Sequence, residues 1–139
     1  MSDLAIEPNS LWERCLLDDI QNRSKRRVMR LEWWIMRSER FASAVANNSA
    51  IATSRGSNGR PLIFRAVEYH EEVASQVLSN NKLTSIRDDQ GVTVAHAIAI
   101  FHKKLAERIV AERSDLCAMK TIKGLTVELF ARITLSYPI

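Results

Sequence analysis

Three glycines, Gly59, Gly91 and Gly124, stand 32 and 33 residues apart, and each opens a similar stretch. The best formed is Gly91-Val92-Thr93-Val94-Ala95-His96-Ala97-Ile98-Ala99. A weaker copy precedes it as Gly59-Arg60-Pro61-Leu62-Ile63-Phe64-Arg65-Ala66-Val67, and another follows as Gly124-Leu125-Thr126-Val127-Glu128-Leu129-Phe130-Ala131-Arg132. A fixed step of this size constrains a chain strongly. It marks supersecondary units that cannot bury their apolar faces alone and must stack on one another.

The match extends upstream of the glycines. Glu39 to Gly59 aligns without gaps on Glu71 to Gly91, with identities at Glu39/Glu71, Ala42/Ala74, Ser43/Ser75, Val45/Val77, Asn48/Asn80, Arg55/Arg87 and Gly59/Gly91. In the looser third copy, Val110, Leu116 and Gly124 match Val77, Leu83 and Gly91. Each copy reads alike. A helix ends near Asn or Ser, a short apolar-punctuated segment follows, and a polar turn leads through Gly into a new helix. The turns 55–59 and 87–91 hold residues that tolerate tight or left-handed backbone. With only 4 Gly and 3 Pro in 139 residues, and many good helix formers, the expected class is all-α. The length suits one domain with a real core.

Before the repeats, residues 1–9 read as a loose arm. Ser10 and Glu13 have capping-box spacing, and Leu11, Trp12, Cys15, Leu16, Leu17 and Ile20 form an apolar stripe running to about Arg23. After the basic run Lys25-Arg26-Arg27, the residues Val28, Leu31, Trp34 and Ile35 start a second helix. Trp33 and Trp34 are adjacent, so on a helix they point about 100° apart. One is expected in the core, and the other at a helix end or over a groove.

The residues after Gly91 resemble the ankyrin repeat. That family's pattern starts Gly-x-Thr-Pro-Leu-His-x-Ala-Ala and closes in a turn of the Asp-x-x-Gly kind. Gly91, Thr93, His96 and Ala99 match the first part, and Asp88 with Gly91 matches the turn. In the earlier copy Gly59 and Ala66 match, while Pro61, Leu62 and Phe64 replace Thr, Pro and His. In the last copy Gly124, Thr126 and Ala131 match, and Leu129 stands at the His position. Val94 replaces the usual Pro beside Thr93. The resemblance covers residues 27–139 and implies a divergent protein of bacterial or phage type. It implies an all-α solenoid of about three stacked helix-turn-helix repeats, at 27–58, 59–90 and 91–123. A partial repeat at 124–139 closes it, and an arm and capping helix at 1–26 precede it. Thr93 can cap its helix through the hydroxyl. By resemblance, His96 bonds Thr93 or the backbone of a neighbouring turn.

No enzymatic centre is legible. His70, His96 and His102 lack the neighbours a metal site needs, and His96 and His102, six apart, lie on different helix faces. Cys15 and Cys117 are far apart and outside any CxxC pattern, so they read as reduced core thiols. Asp88 and Asp89 share a turn and do not face each other across a cleft. No Gly-rich phosphate loop is present, so no cofactor is expected. The amino terminus has no apolar signal-peptide core and no run is long enough to span a membrane, which places the expected protein in the cytoplasm without a membrane partner.

The expected activity is therefore non-enzymatic protein binding. By resemblance, repeat turns and the concave face would line up Arg55, Ser57 and Asn58, then Arg87, Asp88 and Gln90, then Lys120, Thr121 and Lys123, with Arg65 and Glu68 added from a helix. Each of these can equally be a solvated turn residue. An immunity protein, an antitoxin or an adaptor fits this pattern, as a monomer or weak homodimer joined through Trp12, Trp33 or the closing cap. The alternative is nucleic-acid binding. Residues 1–20 hold one basic and five acidic residues, whereas 21–40 hold seven basic and two acidic. Arg23, Lys25, Arg26, Arg27 and Arg30, with Trp33, form a cluster suited to an anionic partner, although it can also pair with the acidic segment before it.

Overall fold

A computed structural model describes residues 25–136, with Lys25 and Arg27 placed by their backbone. The expected capping helix at 10–23, with Cys15 and Arg23, lies outside the described residues. Those residues are mostly helical and contain no strand, only three isolated antiparallel bridges. The helices are α1 (Lys25–Arg37), α2 (Glu39–Ala46), α3 (Ser49–Ala52), α4 (Ile63–Tyr69), α5 (Glu71–Leu78), α6 (Asn81–Thr84), α7 (Val94–Phe101), α8 (Lys103–Glu112), α9 (Ser114–Cys117) and α10 (Val127–Ser136). Two units make up the chain, Met1–Val73 and Ala74–Ile139, and the boundary falls within α5.

In the first unit α1 packs on α2 and α4, and α2 packs on α3 and α4. Val28, Leu31 and Ile35 recur at helical spacing and supply the buried face of α1. They meet a core that includes Val45, Ile51, Leu62, Phe64 and Val67. The basic run Lys25-Arg26-Arg27 is the first turn of α1 and does not precede it. Neither tryptophan is in the core: Trp33 is 45% exposed and Trp34 52%. The expectation that one of them packs inside is corrected by helix geometry. Once positions 28, 31 and 35 face inward, 33 and 34 fall on the other side, and Glu32 takes the remaining inward place. The two indoles pack edge to face, with centroids 5.1 Å apart, and the Arg37 guanidinium lies 4.7 Å above the Trp33 ring.

In the second unit α10 packs on α7 and α8, α7 on α8, and α9 on α8 and α10. The small residues Ala95, Ala97 and Ala99 of α7 are all buried, with Ile98, Leu105, Ile109 and Leu116 filling the space around them. His70 and His102 each fall between consecutive helices.

The connections repeat their hydrogen bonds almost residue for residue. Asn48 and Asn80 cap α3 and α6 through their side-chain oxygens, accepting from Ile51 N–H and from Lys82 and Leu83 N–H. Each four-residue helix then leads into a turn closed by an antiparallel bridge: Arg55 to Pro61, Arg87 to Thr93, Lys120 to Thr126. Inside each turn one backbone N–H reaches four residues on: Gly56 to Arg60 O, Asp88 to Val92 O and Thr121 to Leu125 O, at 2.8, 3.0 and 2.9 Å. Gly59, Gly91 and Gly124 all have positive φ, at 80°, 78° and 83°. That backbone is costly for any residue with a Cβ, which is why glycine sets the period.

Candidate partner-binding surface

Turn residues Arg55, Ser57 and Asn58 are exposed in the first unit, but each also serves the local structure. Arg55 donates through Nη1 to Gly59 O. Asn58 Oδ1 accepts from Arg60 N–H at 3.0 Å. Ser57 donates both its N–H and its hydroxyl to the buried carboxylate of Glu32. Arg65 Nε lies 3.3 Å from the other oxygen of the same carboxylate. Glu68 pairs with Arg60 at 3.0 Å, with its side chain only 6% exposed. Arg65 and Glu68, expected at a binding surface, are thus held in ion pairs that join α4 to α1 and to the turn.

The second unit ties two turns together. Arg87 Nη1 donates to Gly91 O and to Lys120 O, both at 2.7 Å. Ile122 N–H donates to Gln90 O at 3.1 Å. A Cβ built on Gly91 would come within 2.7 Å of that Ile122 nitrogen, so glycine is needed here for close approach as well as for φ. Asp88 is half-buried, and its Oδ1 accepts from Gln90 and Val92 N–H at 2.9 and 3.0 Å. Thr121 is buried, with Oγ1 accepting from Leu125 N–H at 3.2 Å. Its side chain therefore shapes the turn from inside and is not on the surface where it was expected. Gln90, Lys120 and Lys123 are exposed.

His96 is fully buried and links these turns. Thr93 Oγ1 caps α7 by accepting from His96 N–H, while His96 Nδ1 sits 3.1 Å from Thr93 N and 2.7 Å from Thr93 Oγ1. A backbone N–H can only donate, so Nδ1 is the unprotonated nitrogen. The ring proton is then on Nε2 and is donated to Leu125 O at 2.9 Å. Burial lowers the imidazole pKa from its ordinary 6.5, against the opposing pull of the Leu125 hydrogen bond. Phe130 packs edge-on against the ring, with centroids 4.9 Å apart. His96 is thus a neutral structural bond-maker.

No protein-family model, no curated protein and no solved structure matches the chain. The chemistry must be read from the residues alone. Among the described residues no three His, Cys, Asp or Glu side chains come together to hold a metal. Burial raises the pKa of the Cys117 thiol, which disfavours the nucleophilic thiolate. No described helix is long and apolar enough to cross a membrane.

Two features went unread in the sequence. Arg113 stands where the two earlier copies carry a capping Asn, and its guanidinium reaches Leu78 O at 2.6 Å, Asn81 Oδ1 at 2.7 Å and Asp115 Oδ2 at 3.0 Å. The break in the Asn48/Asn80 series was the available signal. Ile122 is 74% exposed between Lys120 and Lys123, and an apolar residue at the tip of a polar turn was visible as such. In the basic segment Arg26 and Arg30 are exposed on α1 beside Met29 and Trp33.

Proposed function

We propose that the chain is an ankyrin-like repeat module that binds another protein through its turns, with no covalent step. The observation that supports this reading is the shared construction of the turns 55–61, 87–93 and 120–126, which puts Arg55, Arg87 and Lys120 at equivalent bridge positions. Arg55 and Arg87 are bonded within the turns, so the charge offered to a partner is chiefly that of the exposed Lys120 and Lys123, which favours an anionic surface. In a solenoid, binding specificity comes from side chains that differ between repeats on such a shared frame. The test must spare residues that hold the frame. Reversing Arg87 or Asp88 would break bonds within the turns, so the informative variant is Lys120→Glu with Lys123→Glu. Immobilised wild-type chain is expected to retain a protein from the host extract that the double variant loses, while both keep the same far-UV circular dichroism. Retention by both alike, or by neither, removes this reading.

A second reading has its own support. Arg26, Met29, Arg30, Trp33 and Arg37 recur at helical spacing on the exposed side of α1, with a guanidinium over an indole. Such a stripe can stack on unpaired bases and neutralise phosphates. It predicts quenching of tryptophan fluorescence by a single-stranded oligonucleotide, falling steeply with added salt and reduced in Trp33→Leu. Unchanged fluorescence at low salt excludes it.

A further inference from the structure

The second unit carries an apolar face that its own helices do not cover. Ile122, Leu125, Leu129 and Ile133 are 74%, 39%, 43% and 40% exposed. Leu129 and Ile133 lie one turn apart on α10, and Leu125 stands in the turn just before the helix begins at Val127. Along one border run Glu128 and Arg132, paired within the helix at 2.7 Å and both substantially exposed.

What fits this face follows from comparison with the turn before it. There, Arg87 and His96 hold two carbonyls of the turn 120–126, those of Lys120 and Leu125. One period later, at a step of 33, Lys120 and Leu129 occupy the positions of Arg87 and His96. The imidazole donor is gone, and two polar positions of the earlier face, Asp89 and His96, have become Ile122 and Leu129, while Val92 and Ile100 already matched Leu125 and Ile133 in character. Another repeat turn docking here would leave the carbonyl that His96 otherwise binds without its partner. A helix face brings no such unpaired carbonyls, because its backbone is bonded within the helix.

We infer that this face docks a second copy of itself, α10 against α10, antiparallel about a two-fold axis. The charge pattern selects that arrangement. A two-fold axis perpendicular to both helices brings the same border of each together with opposite direction. Glu128 of one copy then lies across from Arg132 of the second copy, and Arg132 from Glu128, so each intrahelical pair extends into a four-charge network. A parallel pair would set this charged border against the opposite border of its mate, where Phe130 and Thr134 bring no charge. The exposed apolar area is small beside the roughly 800 Å² per partner of a stable complex, so the dimer is weak and forms at high concentration. This inference does not depend on the ankyrin-like reading, because it uses only the contacts of the second unit and the 33-residue step between its two turns.

The test is sedimentation velocity on the full chain from about 10 µM to about 1 mM, the range in which weak dimers populate. Wild type is expected to shift from monomer to dimer across it. Leu129→Lys, Glu128→Arg and Arg132→Glu are each expected to weaken association at least about tenfold, the effect of a single lost or reversed contact of modest energy. The decisive arm is the mixture. Glu128→Arg has two positive charges on the border and Arg132→Glu two negative, so each alone repels its own copy and the equimolar mixture associates. Circular dichroism confirms that the exposed substitutions leave the helix content unchanged, and the two charge variants suffice if Leu129→Lys does not fold. Monomeric wild type at about 1 mM overturns the inference. So does a mixture that associates no better than its components, or a dimer indifferent to all three substitutions.

Discussion

His96→Leu separates the structural work of this imidazole from its titration. The side chain fits no worse in volume, but the replacement cannot donate to Leu125 O or accept from Thr93. Each buried polar group left without a partner costs about 1–3 kcal/mol. The Leu125 carbonyl and the Thr93 N–H together put the loss at neutral pH at roughly 3 kcal/mol. The pH dependence runs the other way. Burial holds the folded-state pKa below 6.5. Above that value the imidazole is neutral in both folded and unfolded chains and contributes no slope. Below it the unfolded chain takes up a proton that the folded chain refuses, so wild-type stability falls with pH by at most about 1.4 kcal/mol per unit. This fall continues until the folded-state pKa is reached. The leucine variant lacks this term, and the acid sensitivity of the carboxylates is common to both proteins. The advantage of wild type over His96→Leu is therefore largest at neutral pH and narrows as pH falls below 6.5. Urea unfolding followed by circular dichroism, with amide exchange of α7 as the local readout, measures it. An advantage that stays constant from neutral pH into the acid range would refute a buried, neutral His96.

Gly91→Ala and Gly124→Ala distinguish two reasons for glycine. Both require positive φ, which costs an alanine roughly 1–2 kcal/mol. Only at Gly91 does the new Cβ also strike the Ile122 nitrogen, so Gly91→Ala should lower stability clearly more than Gly124→Ala in urea unfolding. Glu32→Ala removes the acceptor of both Ser57 donors and the ion-pair partner of Arg65 and should cost about 2–3 kcal/mol, since hydrogen bonds to charged groups are the strong ones. Glu32→Gln keeps one carbonyl oxygen for Ser57 and should cost less than half as much; equal losses would mean that the carboxylate charge matters more than the turn. Asn80→Ala should cost about 1 kcal/mol through loss of the α6 cap, read by thermal unfolding.

The features legible in the sequence are those fixed by backbone chemistry. Positive φ has one cheap solution, so glycine marked all three turns. A helix start with an acceptor hydroxyl has few, so Thr93 was readable as a cap. What did not read was set by which faces meet. Trp34 fell in with Val28, Leu31 and Ile35 by hydrophobicity alone, yet a helix buries a direction, and residues 28, 31 and 35 define one that excludes both indoles. Glu32 occupies that direction because Ser57 and Arg65, 25 and 33 residues away, satisfy its carboxylate, and no local pattern announces such a partner. The candidate surface divides along the same line. Arg65, Glu68 and Thr121 have the polarity of binding residues, but each is already bonded within its own unit. Lys120, Lys123 and Gln90 have the same polarity and keep exposed side chains. A polar side chain in a repeat turn is therefore informative only once its hydrogen bonds are accounted for. The residues least expected in such a turn, Ile122 and Leu125, then become the more telling ones, because exposure of apolar surface has a cost that the fold of the second unit does not itself relieve.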